Sequence, residues 1–289
     1  METSRPVAAA LWMVGAIFAF SSMAIAGRAV SPELDTFELM MYRSFIGLAI
    51  ILIIGVTTGK IREVRTDRLG LHFLRNLSHF TGQNLWFYSL SLIPLAQLFA
   101  LEFTSPIWVM ILAAVFLGEK LTRPRLIALA LGFIGALIVA QPGSGGNPLG
   151  LAMAAMSAIG FAGSIVCTKY LTRSETILGI LFWLTAMQAV MGIIATGWDG
   201  DVVWPSAAAW PWVALVGLAG LIAHTCLTNA LRVAPASIVT PMDFLRLPAI
   251  AVIGAIFYGE PSSVEVWIGA LLIFGGNYFN ILTEARNRS

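Results

Sequence analysis

The chain has 289 residues, of which 58% are hydrophobic and only 11% charged, with a mean hydropathy of +0.85. A soluble domain carries about 25% charged residues, so 17 basic and 15 acidic side chains leave too little charge to solvate a particle of this size on all sides. A secreted disulfide scaffold is excluded as well, because Cys167 and Cys226 both lie inside apolar runs, where a small apolar role is expected.

The apolar residues form about ten blocks, each long enough to cross a hydrocarbon layer about 30 Å thick. The first, roughly 7–27, ends near Ala24-Ile25-Ala26, which fits a signal-peptidase site. Its recurrence in the second half argues for a retained span. The second, roughly 37–56, contains Arg43. The third, roughly 69–91, contains Arg75 and a polar stripe of Asn76, His79, Gln83 and Trp86 at helical spacing, with Asn84 alongside. The fourth, roughly 94–117, opens on Pro94 and holds Glu102, Phe103 and Trp108. The fifth to seventh (roughly 124–140, 148–168 and 176–196) are apolar, with many small residues in the fifth and sixth. The eighth, roughly 210–231, holds His224, Thr225, Thr228 and Asn229. The ninth, roughly 235–258, holds Thr240, Asp243 and Arg246, and the tenth runs over roughly 264–283.

Orientation follows from basic residues in the short loops. Arg5, Lys60, Arg62, Arg65, Arg68, Lys120, Arg123, Arg125, Lys169, Arg173, Arg232, Arg286 and Arg288 all fall on one side. Arg28 alone falls on the other, which carries Glu33, Asp35, Asp199, Asp201, Glu260 and Glu265. Both termini are therefore expected in the cytoplasm of a bacterial inner membrane. The basic loops are explained by topology, so no nucleic-acid partner is implied. Trp198, Trp204, Trp210 and Trp212 are expected to anchor the outer interface.

A shift of 141 residues superposes the two halves. Phe20 meets Phe161, Arg28 meets Lys169, Pro94 meets Pro235 and Phe103 meets Phe244. The run Phe116-Leu117-Gly118-Glu119 meets Phe257-Tyr258-Gly259-Glu260. Five helices per copy is an odd number, so the second copy is inverted in the membrane, the architecture of secondary transporters. The fold expected is all-α and integral to the membrane, with ten helices as two inverted five-helix repeats over 1–141 and 142–289.

Leu92-Ile93-Pro94-Leu95-Ala96 opening a helix, Phe116-Leu117-Gly118-Glu119 closing it, and Leu131-Gly132-Phe133-Ile134-Gly135 followed by Gln141-Pro142-Gly143 resemble the EamA family of the drug/metabolite transporter superfamily. Pro261 after Gly259-Glu260 departs from that pattern, where a basic residue is usual. The resemblance implies alternating access and small organic substrates, commonly amino acids and their derivatives, usually by export. Some members instead take up cofactors such as riboflavin or S-adenosylmethionine.

Charges inside a span are costly and need a partner, water or a function. Glu102 and Asp243 are mates under the shift, each eight residues past its helix-opening proline, and so about 12 Å along a continuous helix. They are expected to flank the midplane from opposite sides. Arg246, three residues after Asp243, shares its helix face and can pair with it. It also offers a bidentate fork to a substrate carboxylate. Glu102 has no arginine on its own helix face, which makes it the expected proton carrier. Arg43 and Arg75 lie nearer their span ends, where they can line the cavity or snorkel to an interface. The polar stripe of the third span and its mate with His224 and Asn229 are expected to face that cavity, since hydrocarbon satisfies no polar group. With Trp86, Trp108 and Phe103 they would make it amphipathic.

Gly132, Gly135, Gly269 and Gly276 read as close packing. There is no phosphate-cradling glycine loop, no HExxH, no zinc-spaced cysteine pair and no nucleophile–base cluster, so neither a cofactor nor a catalytic site is expected. The reading is a proton-coupled secondary transporter exporting a small, carboxylate-bearing metabolite, with an uptake carrier or exchanger for a cofactor-type metabolite as the alternative and metabolite counterflow as the rival form of coupling. An intramembrane enzyme and a channel are the competing classes.

Overall fold

The computed structural model describes residues 5–65, 67–140, 147–200, 202–259 and 264–286. The helices are α1 (Pro6–Val30), α2 (Thr36–Thr57), α3 (Leu69–Leu92), α4 (Leu95–Glu102), α5 (Ser105–Leu117) and α6 (Arg123–Ala140) in the first repeat. They are α7 (Pro148–Leu171), α8 (Ile177–Asp199), α9 (Trp210–Val233), α10 (Ala236–Met242), α11 (Arg246–Tyr258) and α12 (Val264–Arg286) in the second. No strand occurs among the described residues. Six segments there have the length and hydropathy to cross a membrane unaided: α1, α2, Gln97–Leu117, α7, α8 and α9. The third span falls short because its polar stripe lowers its hydropathy, so it depends on neighbouring helices.

Local signals set the helix boundaries. Asp35 and Glu38 form a reciprocal capping box at the start of α2, satisfying two N–H groups that the helix itself cannot. Asn147 and Thr176 cap α7 and α8 through their side chains. Pro94 and Pro235 precede α4 and α10 with nearly identical backbone angles (φ −58°, ψ 149° and φ −57°, ψ 148°). Gly118 and Gly259, mates under the shift, both take positive φ, 68° and 64°, a left-handed turn that other residues adopt at a cost.

The fourth and ninth spans are not the continuous helices expected. The fourth breaks between Glu102 and Ser105, and the ninth breaks at a 3-10 turn, Asp243–Leu245. Proline explains both interruptions. Pro106, second in α5, has no N–H to offer the carbonyl of Glu102, and Pro248 has none for Phe244. Each acid therefore sits at a helix break and not on an unbroken helical face.

The repeats interleave. α1 packs along α9 while its mate α7 packs along α3, α2 packs along α8, and α6 along α12. Two mated basic side chains stitch the arrangement. Arg28 Nη2 donates to the carbonyls of Leu90 (3.2 Å) and Ile93 (2.8 Å), and Lys169 Nζ donates to the carbonyl of Leu231 (2.6 Å), which is Leu90 shifted by 141. Backbones approach closely between α3 and α7. A Cβ on Gly160 would lie 2.8 Å from the Ser78 carbonyl oxygen and 2.9 Å from the Gly82 Cα. Small residues at such crossings are the usual means of tight packing in lipid.

One end of the bundle brings together Arg5 with Val233, Arg173 with Leu117 and Trp183 with Arg65. Glu119 there accepts from the backbone N–H groups of Ala236 (2.9 Å) and Ser237 (3.0 Å), capping α10 from the other repeat. Its mate Glu260 lies outside the described residues, as do Gln141, Pro142 and Gly143. At the opposite end, Glu38 accepts from the Val203 N–H and Glu33 from Ser206. Tyr42, Trp204 and Trp210 form an aromatic cluster there, with Trp198 91% exposed.

Candidate functional site

A cavity lies between α1, α3, the α4–α5 break, α7, α9 and the α10–α11 break. Eight of the expected residues line it: Arg75, His79, Gln83, Trp86, Glu102, His224, Asp243 and Arg246. The two helix breaks deliver the charges. Arg246 Nη2 bonds both Glu102 Oε1 (2.5 Å) and Asp243 Oδ2 (2.7 Å), so one guanidinium joins the acids of the two repeats. Glu102 also accepts from the indole N–H of Trp86 at 2.6 Å. Arg246 Cζ lies 4.8–5.5 Å from the ring centroids of Phe20, Phe99 and Phe103, within cation–π range.

This geometry changes the roles expected for the charged residues. Glu102 lacks an arginine on its own helix but receives one from the other repeat, and both its oxygens accept hydrogen bonds. Asp243 is the acid with a spare oxygen: Oδ1 is buried with no donor. Arg246 spends one nitrogen, Nη2, on both carboxylates, and its Nε is buried without a partner.

Arg75 takes the position of the free cation. It is 2% exposed. Its Nε donates to Thr168 Oγ1 (3.1 Å) and its Nη1 to Asn76 Oδ1 (2.8 Å). Among the described residues no carboxylate pairs with the group, and these two bonds use only Nε and Nη1. It does not snorkel. A buried, unpaired guanidinium costs several kcal/mol, and an oxyanion arriving in the cavity would remove that cost.

Between these charges lies an aromatic and imidazole middle. His79 and His224 meet edge to face at 4.6 Å, with Phe20 against His224 (5.6 Å) and Phe161 against His79 (5.8 Å). Both nitrogens of His224, Nε2 of His79 and Oε1 of Gln83 are buried without partners. These are ready donors and acceptors for a polar ring. No group of three or more metal-ligating side chains occurs among the described residues.

Four expected lining residues are placed elsewhere. Arg43 is buried beside Met40 Sδ (3.7 Å) and against Gly220, in a separate small hollow among α2, α8 and α9. Asn84 and Asn229 each donate to the carbonyl four residues back, of Phe80 and Thr225, which ties their amide nitrogens to their own helices, while Asn84 Oδ1 stays buried without a donor. Trp108 is 40% exposed on the outside of α5, because the break before Ser105 resets the helical phase. Phe20, Phe161, Ser164 and Thr168 line the cavity without having been assigned to it. The match of Phe20 to Phe161 under the shift was the signal for the first two.

The chain belongs to the EamA-like transporter family, whose model matches residues 7–141 and again 148–282. It is a multi-pass membrane transporter of the drug/metabolite type and not an enzyme. A riboflavin transporter of Brucella anthropi is 31% identical over 92% of this chain and 96% of its own length. An S-adenosylmethionine uptake transporter of Rickettsia bellii is 25% identical over 96% of this chain and 94% of its own. A pseudopaline exporter of Pseudomonas aeruginosa is 27% identical over 91% and 92%. A crystal structure superposes with a TM-score of 0.79 at 20% identity, covering 97% of this chain and 99% of that one, which establishes the shared fold.

Proposed function

We propose that the protein is a secondary carrier for an elongated metabolite with a cationic group, an anionic group and a planar ring between them, the chemistry of an amino-acid-derived cofactor such as S-adenosylmethionine. The observation that supports this reading is one cavity lined both by Asp243, whose Oδ1 is buried without a donor, and by Arg75, which pairs with no carboxylate among the described residues. Arg75 and Trp86, the residue that holds Glu102, are eleven positions apart on α3, about 16 Å along the axis. A simple α-amino acid is too short to reach both. The imidazoles, Phe20 and Phe161 supply the stacking surface in between.

Asp243 is the coupling acid in this proposal. A proton and the substrate's cationic group compete for Oδ1, so binding one releases the other, as proton-coupled exchange requires. The net uncompensated charge of the Glu102–Arg246–Asp243 cluster then changes with each half-cycle.

A second reading is carriage of riboflavin, favoured by the riboflavin transporter relatives and by neutral donors and acceptors suited to a flavin ring edge. Counterflow in liposomes separates the two. Labelled S-adenosylmethionine exchanging against excess unlabelled S-adenosylmethionine, with riboflavin ineffective, supports the first; the reverse replaces it. Absence of counterflow by either, or by other charged metabolites, overturns the carrier assignment of this cavity.

The proposal places the repeats at 1–141 and 142–289, both termini in the cytoplasm and the protein in the bacterial inner membrane. A reporter after Ser289 is then cytoplasmic and one inserted near Gly145 is external. Finding both on one side overturns that orientation.

A further inference from the structure

Outside the cavity, a groove runs down the outer surface between α3, α5 and α7. Its walls are apolar, including Leu71, Leu74, Leu112 and Phe116, and Gly163 lowers its floor. Leu74 and Phe116 are more than half exposed. All three helices belong to membrane spans, so the groove faces hydrocarbon. From Leu71 to Ser78 on α3, and from Tyr170 to Gly163 on α7, it extends about 10 Å along the helices.

The groove ends at Tyr170, and that end is charged. Arg68, just before α3, and Arg173, just after α7, place their Cζ atoms 5.5 and 5.2 Å from the Tyr170 ring centroid. Arg173 spends one donor on the Leu117 carbonyl (3.2 Å), and its other N–H groups remain. The end concerned is the one to which the basic loops belong.

We propose that this groove is a binding site for one anionic glycerophospholipid. An acyl chain fills the apolar channel and the phosphate sits between the Arg68 and Arg173 guanidiniums. Charge complementarity selects the occupant. A neutral detergent or a zwitterionic lipid satisfies the channel but gains little at the two cations. A guanidinium fork matches a phosphate in two parallel bonds, and basic recesses between spans are where lipid head groups are recognised. An apolar helix of a second copy would fill the channel but leave the paired guanidiniums without an anion.

The test uses the full chain purified in dodecyl maltoside and titrated with dioleoyl phosphatidylglycerol or dioleoyl phosphatidylcholine. Bound lipid is read by native mass spectrometry and stability by thermal melting. The expected result is one phosphatidylglycerol retained at least fivefold more tightly than phosphatidylcholine, with a rise in Tm. In R68Q/R173Q the two lipids should bind alike. R68K/R173K, which keeps both charges and guards against a folding defect, should retain part of the preference. The deacylated head group, glycerophosphoglycerol, should not compete. Equal binding of the two lipids to the wild type, an undiminished preference in a folded R68Q/R173Q, or full competition by the deacylated head group would each overturn the site.

Discussion

Arg246 reaches across the repeat boundary to Glu102 at 2.5 Å while holding Asp243, three residues away on its own chain segment, at 2.7 Å. The symmetry that mates Glu102 with Asp243 is thus broken by a single cation that both acids share. The mate of Arg246 in the first repeat is Ser105, which cannot return the bond. The two acids are equivalent in sequence position and unequal in chemistry.

Removing that cation should be worse than removing either acid. Arg246→Ala leaves two buried carboxylates without a counter-ion, and breaking such a cluster costs about 3–5 kcal/mol. Glu102→Gln should cost about 1.5–3 kcal/mol, the range for a hydrogen bond to a charged group. Melting of the three detergent-solubilised proteins checks the order, and a less stable Glu102→Gln would contradict it.

Asp243→Asn should remove the pH dependence of counterflow without unfolding the protein, because Asn keeps an acceptor for Arg246 but binds no proton at Oδ1. Glu102→Gln should keep that pH dependence at a lower rate. Counterflow rates measured across pH 5–8 for both variants decide it. Retained pH dependence in Asp243→Asn returns the coupling role to Glu102 or to a histidine.

Arg75→Gln should raise the KM for an anionic substrate about tenfold to hundredfold, the loss of one charge-assisted hydrogen bond, with Tm unchanged or raised. The methyl ester of the substrate should lose its disadvantage in this variant. A fall in Tm together with an unchanged ratio of acid to ester would mark Arg75 as a packing residue only.

Gly160→Ala should destabilise the α3–α7 crossing by about 1–3 kcal/mol, the usual cost of overpacking, because the atoms in its way are backbone and cannot swing aside. Gly197→Ala, where nothing lies within 4 Å, is the control and should leave Tm within a degree or two.

Much of the architecture is legible in the residues. The mated prolines 94 and 235 and glycines 118 and 259 bound equivalent segments, and local chemistry determines both ends. The site is legible in part. His79, Gln83 and Trp86 share a stripe because α3 is unbroken, and periodicity holds along an unbroken helix. Trp108 departs from the expected stripe because periodicity does not survive the turn at Phe103-Thr104, and Asn84 and Asn229 because an amide that donates to its own helix leaves no trace in spacing. The bond from Arg246 to Glu102 spans 144 positions, and no local pattern carries contacts at that range.

The crosswise packing of α1 on α9 and α7 on α3 bears on how the chain is made. When the last residue of α3, Leu92, has been added, the helix that covers its polar face does not begin until Pro148, and α9 not until Trp210. At about 5–20 residues per second the buried arginine and histidine of α3 wait several seconds, at the least, inside a membrane that satisfies neither. The first half is therefore an assembly intermediate that needs shelter, from the insertion machinery or from lipid, until its complement arrives. Expressed alone it should be degraded, and two separately encoded halves should restore transport only when produced together.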